Sequence, residues 1–349
     1  MKRGFTSTRG WTDTSDMTLS RTCKFIIFCA GLAFFFSAAH NLAQEAPARA
    51  GQTIQVNVDR VNVGVIVTDA KENFVQGLKR DDFHVFDDGV AQPITEFAPV
   101  DEPGQIFLLV EAGPAVYFLQ DTHLFAADAF LNGLSAGDRV AIGHYADAPT
   151  VVLDFTAEKR VAQAALTGIR FNLGFGQLNL SASLSTVLDW LARIPGKKTI
   201  VLLSTGVDTS PQKAIEAVQS RLQTGDVRIL GVSLSGPVRN GKVGNQKQLR
   251  QMQQEFEVAD VRLRALAEAT GGRVYFPQGA KAFQAIYKQV AQLIRNEYSL
   301  SFAPPEADGA IHTIEVKVDF PSVSSRNKLP EYRVDHRKAY VAPKAPRAE

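Results

Sequence analysis

Three stretches of this chain carry long apolar runs: QIFLLV at 105–110, KTIVLLST at 198–205 and DVRILGVSL at 226–234. A strand that alternates apolar and polar residues covers one face of a core. A continuously apolar strand is buried on both faces, which is the situation of a parallel sheet layered between helices. Segments of helical period separate these runs: 119–134, 156–169, 181–194, 210–223, 260–272 and 279–297. Thr156 reads as the N-cap of the second of these segments. In the fourth, Ser210 reads as the cap with Pro211 at the first helical position. Two tightly joined strands are expected at 138–147 and 149–155, and a short one at GRVYFP. Strands alternating with helices of this size predict a doubly wound, mainly parallel α/β sheet flanked by helices.

The flanks follow a different rule. TIQVNVDRVNVGVIVTDA and FHVFDDGVAQPITEFAPV alternate in period two around turn signals, Gly89 supplying the positive φ of an Asp-Asp-Gly turn. The same period returns after 297 in EYSLSFAP, IHTIEVKVDF, PEYRVDH and KAYVAP, with no helix between them. Residues 53–100 therefore form an N-terminal β module that the strands of 297–342 complete. The α/β domain of 105–296 is inserted into this small β-sandwich-like domain built from both chain ends, and 343–349 is a tail.

Arg21 and Lys24 precede an apolar run of 15 residues, Phe25–Ala39, followed by SAAHNLAQ. The run is short for a membrane span of about 20 residues and reads as a secretory signal over 1–43, cleaved after Ala39 or Ala43. An uncleaved anchor is the alternative. Met17 opens a more usual signal, so 1–16 reads as a start-site artefact, and 44–52 as a linker. Both cysteines, Cys23 and Cys29, fall in the segment to be removed. The mature chain is then an exported protein, periplasmic or extracellular, with no disulfide, thiol chemistry or membrane span. A net charge of +2 with scattered basic residues gives no case for nucleic-acid binding.

The order QIFLLV, KKTIVLLST, DVRILGVSL, LRALAEATGGRVYF resembles a von Willebrand factor A domain. The segments VNVGVIVTDAKENFVQGLKRDDFHVFDDGVAQPITEF, PGKKTIVLLSTGVD, LAEATGGRVYFP and IRNEYSLSFAP are similar to an acidobacterial-type group of exported von Willebrand factor A-related proteins. The resemblance spans about 53–342. It implies a site at the end of the first central strand, where Asp-x-Ser-x-Ser, a Thr and a further Asp hold Mg²⁺ or Mn²⁺ and a partner's carboxylate completes the shell. Here the Asp position is Glu111, the two Ser positions are Gly113 and Ala115, the Thr position falls at Leu178, and the second Asp position is Thr205. Most of the oxygen ligands are gone, and no metal cofactor is expected. Glu111 is expected instead to bond backbone N–H groups at a nearby helix start. A divergent site of Glu111, Thr205 and Asp208 with waters, holding Mg²⁺ or Mn²⁺, is the alternative.

The implied function is a non-catalytic module that binds another protein through the loops 111–118, 174–180, 205–210 and 235–258. The contact residues expected are Glu111, Pro114, Asn179, Asp208, Arg239 and Lys242. NLGFGQLN lacks the third glycine and the preceding strand of a phosphate loop and reads as a mobile rim loop. RDDFHVFDDG admits a Ca²⁺ site, but reads first as a strand and turn with His84 outward. No His-x-x-x-His or His-Glu pair marks a zinc hydrolase, and Ser233 in GVSLSG reads as a strand residue. An envelope hydrolase would require an acid/base pair, such as a perturbed Glu111 in a cleft.

Overall fold

A computed structural model describes residues 60–344 apart from 101–102, 118–119, 172–175, 237–245, 279 and 320–331. The expected signal, the linker, residues 53–59 of the β module and the end of the tail lie outside the described residues. So do Arg239 and Lys242. No described helix is long and apolar enough to cross a membrane.

The strands are β1 (Val61–Thr68), β2 (Phe83–Asp87), β3 (Val90–Gln92), β4 (Glu96–Val100), β5 (Gln105–Glu111), β6 (Arg139–Tyr145), β7 (Pro149–Thr156), β8 (Lys198–Ser204), β9 (Val227–Ser233), β10 (Arg273–Tyr275), β11 (Glu297–Phe302), β12 (Ile311–Val318), β13 (Arg333–Asp335) and β14 (Ala339–Val341). The helices are α1 (Pro114–Tyr117), α2 (Gln120–Gly133), α3 (Lys159–Thr167), α4 (Leu180–Leu191), α5 (Gln212–Thr224), α6 (Gln246–Ala269) and α7 (Ala280–Arg295).

Six strands form the central sheet in the order β10-β9-β8-β5-β6-β7. Every pairing in it is parallel except β6 with the edge strand β7. The three apolar runs are its central strands β5, β8 and β9, buried along nearly their whole length. Side chains alternate across the sheet, so one run feeds two cores. Ile106, Leu108 and Val110 pack with Phe130, Phe283 and Tyr287 on one face. Phe107 and Leu109 pack with Leu184, Val218 and Leu263 on the other. This is the doubly wound α/β fold that the apolar runs require.

The chain ends meet as the period-two pattern demands. β1 lies antiparallel to β11, Val63 opposite Leu300, in the sheet β13-β1-β11-β4. A second sheet runs β14-β12-β2-β3. Their inner faces share one core, with Val63 and Val65 against Phe83, Tyr298, Phe302 and Val316. Asp88 and Gly89 both take positive φ, 46° and 79°, as a two-residue hairpin turn between β2 and β3 requires. Buried ion pairs tie this sandwich to the α/β layer: Arg228 at the start of β9 to Glu297, and Arg273 of β10 to Asp335. The turn after α6 is equally tight. Gly271 has φ +67°, and a Cβ on Gly272 would lie 1.8 Å from the carbonyl oxygen of Ile229.

Three helix starts differ from the sequence expectation. Thr156 still pairs with Val140 in β7, and its hydroxyl accepts the N–H of Glu158, so α3 begins later, at Lys159. Pro211 rather than Ser210 is the N-cap of α5, its carbonyl accepting the N–H groups of Ala214 and Ile215. α6 starts at Gln246, not Asp260, so 246–258 is helix and not a contact loop. Beyond its Gln-rich first turns runs a stripe at helical spacing: Phe256, Ala259, Leu263, Leu266 and Ala267 are all buried.

Candidate functional site at the strand ends

Parallel strands end side by side, so the carboxyl edge of the central sheet gathers residues far apart in sequence. Val110 of β5 pairs with Leu203 of β8, and Glu111 pairs with Tyr145 of β6. Glu111 thus stands between the last residues of its two neighbours. Its carboxylate is fully buried. It accepts the Thr205 backbone N–H at 2.7 Å, the Thr205 hydroxyl at 2.8 Å and the Ser204 hydroxyl at 3.0 Å. The Tyr145 hydroxyl lies 3.2 Å from the same carboxylate and 2.7 Å from Ser204 Oγ. Ser204 Oγ in turn accepts the N–H of Gly206 at 2.8 Å. Burial pushes the Glu111 carboxyl above its ordinary range, and the Thr205, Ser204 and Tyr145 hydrogen bonds oppose that rise.

The expected partners of Glu111 were backbone N–H groups at a helix start. The donors found are one backbone N–H and three hydroxyls at the ends of β6 and β8. Tyr145 and Ser204 carried no motif; only their places at the ends of adjacent strands mark them.

Gly113 lies between Leu178 and the carboxylate. A Cβ placed on Gly113 would lie 2.8 Å from Leu178 Cδ2 and 3.6 Å from Glu111 Oε1. Two positions where the resemblance implies oxygen ligands are therefore in mutual contact, one as a leucine and one with no side chain. Ala115 lies on α1 and Pro114 opens that helix, half-buried. Glu111, expected on a partner-contacting rim, exposes no surface to a partner, because the hydroxyls of Ser204, Thr205 and Tyr145 enclose it.

Asp208 serves a different end. Its carboxylate accepts the N–H of Ser181 at 3.1 Å, the Ser181 hydroxyl at 2.5 Å and the N–H of Ser210 at 2.9 Å. It caps α4 from another loop, where the helix's own Asn179 makes no side-chain cap. Asn179 instead donates to the Asp147 carbonyl at 2.9 Å and accepts from the Thr209 hydroxyl at 3.1 Å. Leu178 and Thr209 exchange two further bonds. Leu178 and Asn179, at the end of the loop expected to be mobile, are thus bonded to two other loops. Glu111 and Thr205 come together as the alternative metal set requires, whereas Asp208 is turned to the start of α4.

The remaining sequence candidates scatter. His84 points outward to Asp319. Ser233 and Ser235 both bond Asp260 in a buried cluster. A cavity of about 840 Å³ lies at the opposite, amino-terminal edge of the sheet. There Lys197 and Arg228 pair with Glu297, and Lys198 with Asp226.

No family model matches the chain, and no curated protein does. Solved structures are similar to it at low identity. A von Willebrand factor type A protein from Catenulispora acidiphila is 11% identical, covering 83% of this chain and 75% of its own, with a TM-score of 0.43. The manganese-loaded TRAP protein of Plasmodium vivax is 15% identical over 76% of this chain and all of its own, TM-score 0.42. An aerotolerance-related membrane protein from Bacteroides fragilis is 12% identical over 55% of this chain and 98% of its own, TM-score 0.41. At this level the likenesses assign no function, and the fold rests on the strand order and burial described above.

Proposed function

We propose that this chain is an exported, non-catalytic protein-binding module of von Willebrand factor A type that engages its partner without a divalent cation at the end of β5. The observation that carries the reading is the state of Glu111. A carboxylate available to a hard cation needs open lone pairs and room for water ligands. This one is fully buried and bonded by Ser204, Thr205 and Tyr145. Around it, Thr209 of the loop 205–210 is hydrogen-bonded to Leu178 and Asn179. A preformed rim suits a contact with another protein, since little ordering is lost on binding.

The test is reconstruction. A variant with Glu111→Asp, Gly113→Ser, Ala115→Ser, Leu178→Thr and Thr205→Asp restores the family's oxygen set and removes the leucine that a side chain at 113 would meet. It is expected to acquire Mn²⁺ binding, read by calorimetry, that the natural chain lacks. Failure of the folded variant to bind would count against the assignment of these positions to one site.

A further inference from the structure

The sandwich holds a second cluster, built from the Asp-Asp-Gly turn and a histidine 224 residues from Asp88 in the chain. Asp87 ends β2, Asp88 lies in the following turn, and His312 lies on the neighbouring strand β12. His312 Nδ1 is 2.9 Å from Asp88 Oδ2 and 3.3 Å from Asp87 Oδ1. Both distances are close to the edge of a zinc-sized tetrahedron, about 3.3 Å for ligands at about 2.0 Å. The donor atoms of the three residues all lie within 4.8 Å of one another.

The outer oxygen of each carboxylate is already held. Asp87 Oδ2 accepts the Tyr340 hydroxyl at 2.7 Å. Asp88 Oδ1 accepts both the N–H and the hydroxyl of Thr313, at 2.8 and 2.7 Å. Each carboxylate thus turns its other oxygen toward His312 Nδ1. On the far side of the ring, Nε2 lies 3.3 Å from Asp308 Oδ1, which the Ala310 N–H also orients. With Nε2 directed to Asp308, Nδ1 faces the two remaining carboxylate oxygens, a set of one nitrogen and two oxygens suited to a cation. Asp87 Oδ1 is the independent sign. It is a buried oxygen with no hydrogen-bond partner, on a side chain only 1% exposed. A proton on Nδ1 directed to the nearer Asp88 oxygen leaves that atom unsatisfied, whereas a metal ion serves both.

We infer that Asp87, Asp88 and His312 bind one small divalent ion of the zinc class, fixing the β2–β3 turn to β12. Asp308 and Tyr340 orient two ligands from behind, the usual outer-shell support of such sites. One nitrogen and two singly presented carboxylate oxygens suit zinc better than Ca²⁺, which takes six to eight oxygens. His84, the histidine within the turn's own motif, takes no part; it faces Asp319.

The test is a Zn²⁺ titration of the chelator-treated full chain against a competing indicator, with Co²⁺ absorption as a second readout. The expected result is one tight site and a tetrahedral Co²⁺ spectrum, both lost in His312→Gln and in Asp88→Asn and retained in His84→Gln. Asp88 is half exposed, so its variant keeps the test independent of misfolding. Asp308→Asn is expected to weaken binding about 10- to 100-fold. Absence of a tight site, or affinity unchanged in both His312→Gln and Asp88→Asn, overturns the proposal and leaves a protonated His312 as the cation. Mg²⁺ binding dependent on Glu111 is a separate result and bears only on the strand-end reading.

Discussion

The Glu111 carboxylate receives the Thr205 backbone N–H at 2.7 Å, bridging the ends of two adjacent parallel strands 94 residues apart in the chain. The bond makes Glu111 part of the packing of the sheet edge. Replacing it with alanine leaves the buried Thr205 N–H and hydroxyl without their acceptor and the paired Ser204 and Tyr145 hydroxyls one acceptor short. Glu111→Ala is expected to cost ~3 kcal/mol. Glu111→Gln retains an acceptor oxygen and is expected to stay within about 1 kcal/mol of the natural chain. Urea unfolding of the two variants gives the order; equal losses would contradict the donor arrangement.

Gly113 and Leu178 are expected to be coupled. A side chain at 113 meets the far end of the Leu178 side chain, which can rotate away. Gly113→Ser alone should cost about 1 kcal/mol, and Leu178→Thr in the same chain should recover most of it. A double-mutant cycle with no coupling energy would place Leu178 elsewhere.

Gly272 has no such relief. Its added Cβ would meet the backbone carbonyl of Ile229 in the middle of β9. Gly272→Ala is expected to destabilise by more than about 3 kcal/mol, well beyond the effect at Gly113. Thermal unfolding of the two variants side by side checks the contrast.

His336 gives the chain an acid-sensitive point. Burial and the neighbouring Lys338 push its pKa down to about 4, from an ordinary 6.5. The neutral ring accepts the Val316 N–H at 3.2 Å, and its other nitrogen lies 2.8 Å from the Arg337 carbonyl. Between those pH values the unfolded chain binds a proton that the folded chain refuses. The stability from this group is therefore complete above about pH 6.5 and is lost as pH falls toward 4, by ~3 kcal/mol. His312 shifts oppositely: burial lowers it, but Asp308, Asp87 and Asp88 outweigh burial and raise it. The quantity to measure is the difference between the natural chain and His336→Gln over this range, which should shrink as pH falls.

The fold class was legible because its signal is local. An apolar run such as QIFLLV has few places to go but the middle of a parallel sheet, and period-two strands at both ends have only each other to cover them. Helix starts were less legible, since tertiary contacts decide them: Thr156 stays in its strand, and Gln-rich turns extend α6 to Gln246. The site was legible by position and not by partner. Glu111, Gly113, Leu178 and Thr205 do converge at the end of β5, but Ser204 and Tyr145 enter only through strand register. Of the His312 cluster, the sequence marked Asp87 and Asp88 within RDDFHVFDDG but not the histidine, because β2 and β12 become neighbours only when the chain ends pair.

What Glu111 binds is decided by isothermal titration of Mg²⁺ into the chelator-treated protein, beside its Glu111→Gln variant. The expected result is no heat of binding in either protein. A micromolar Mg²⁺ site in the natural chain that disappears in Glu111→Gln would contradict the account and make the strand end a working metal-dependent contact.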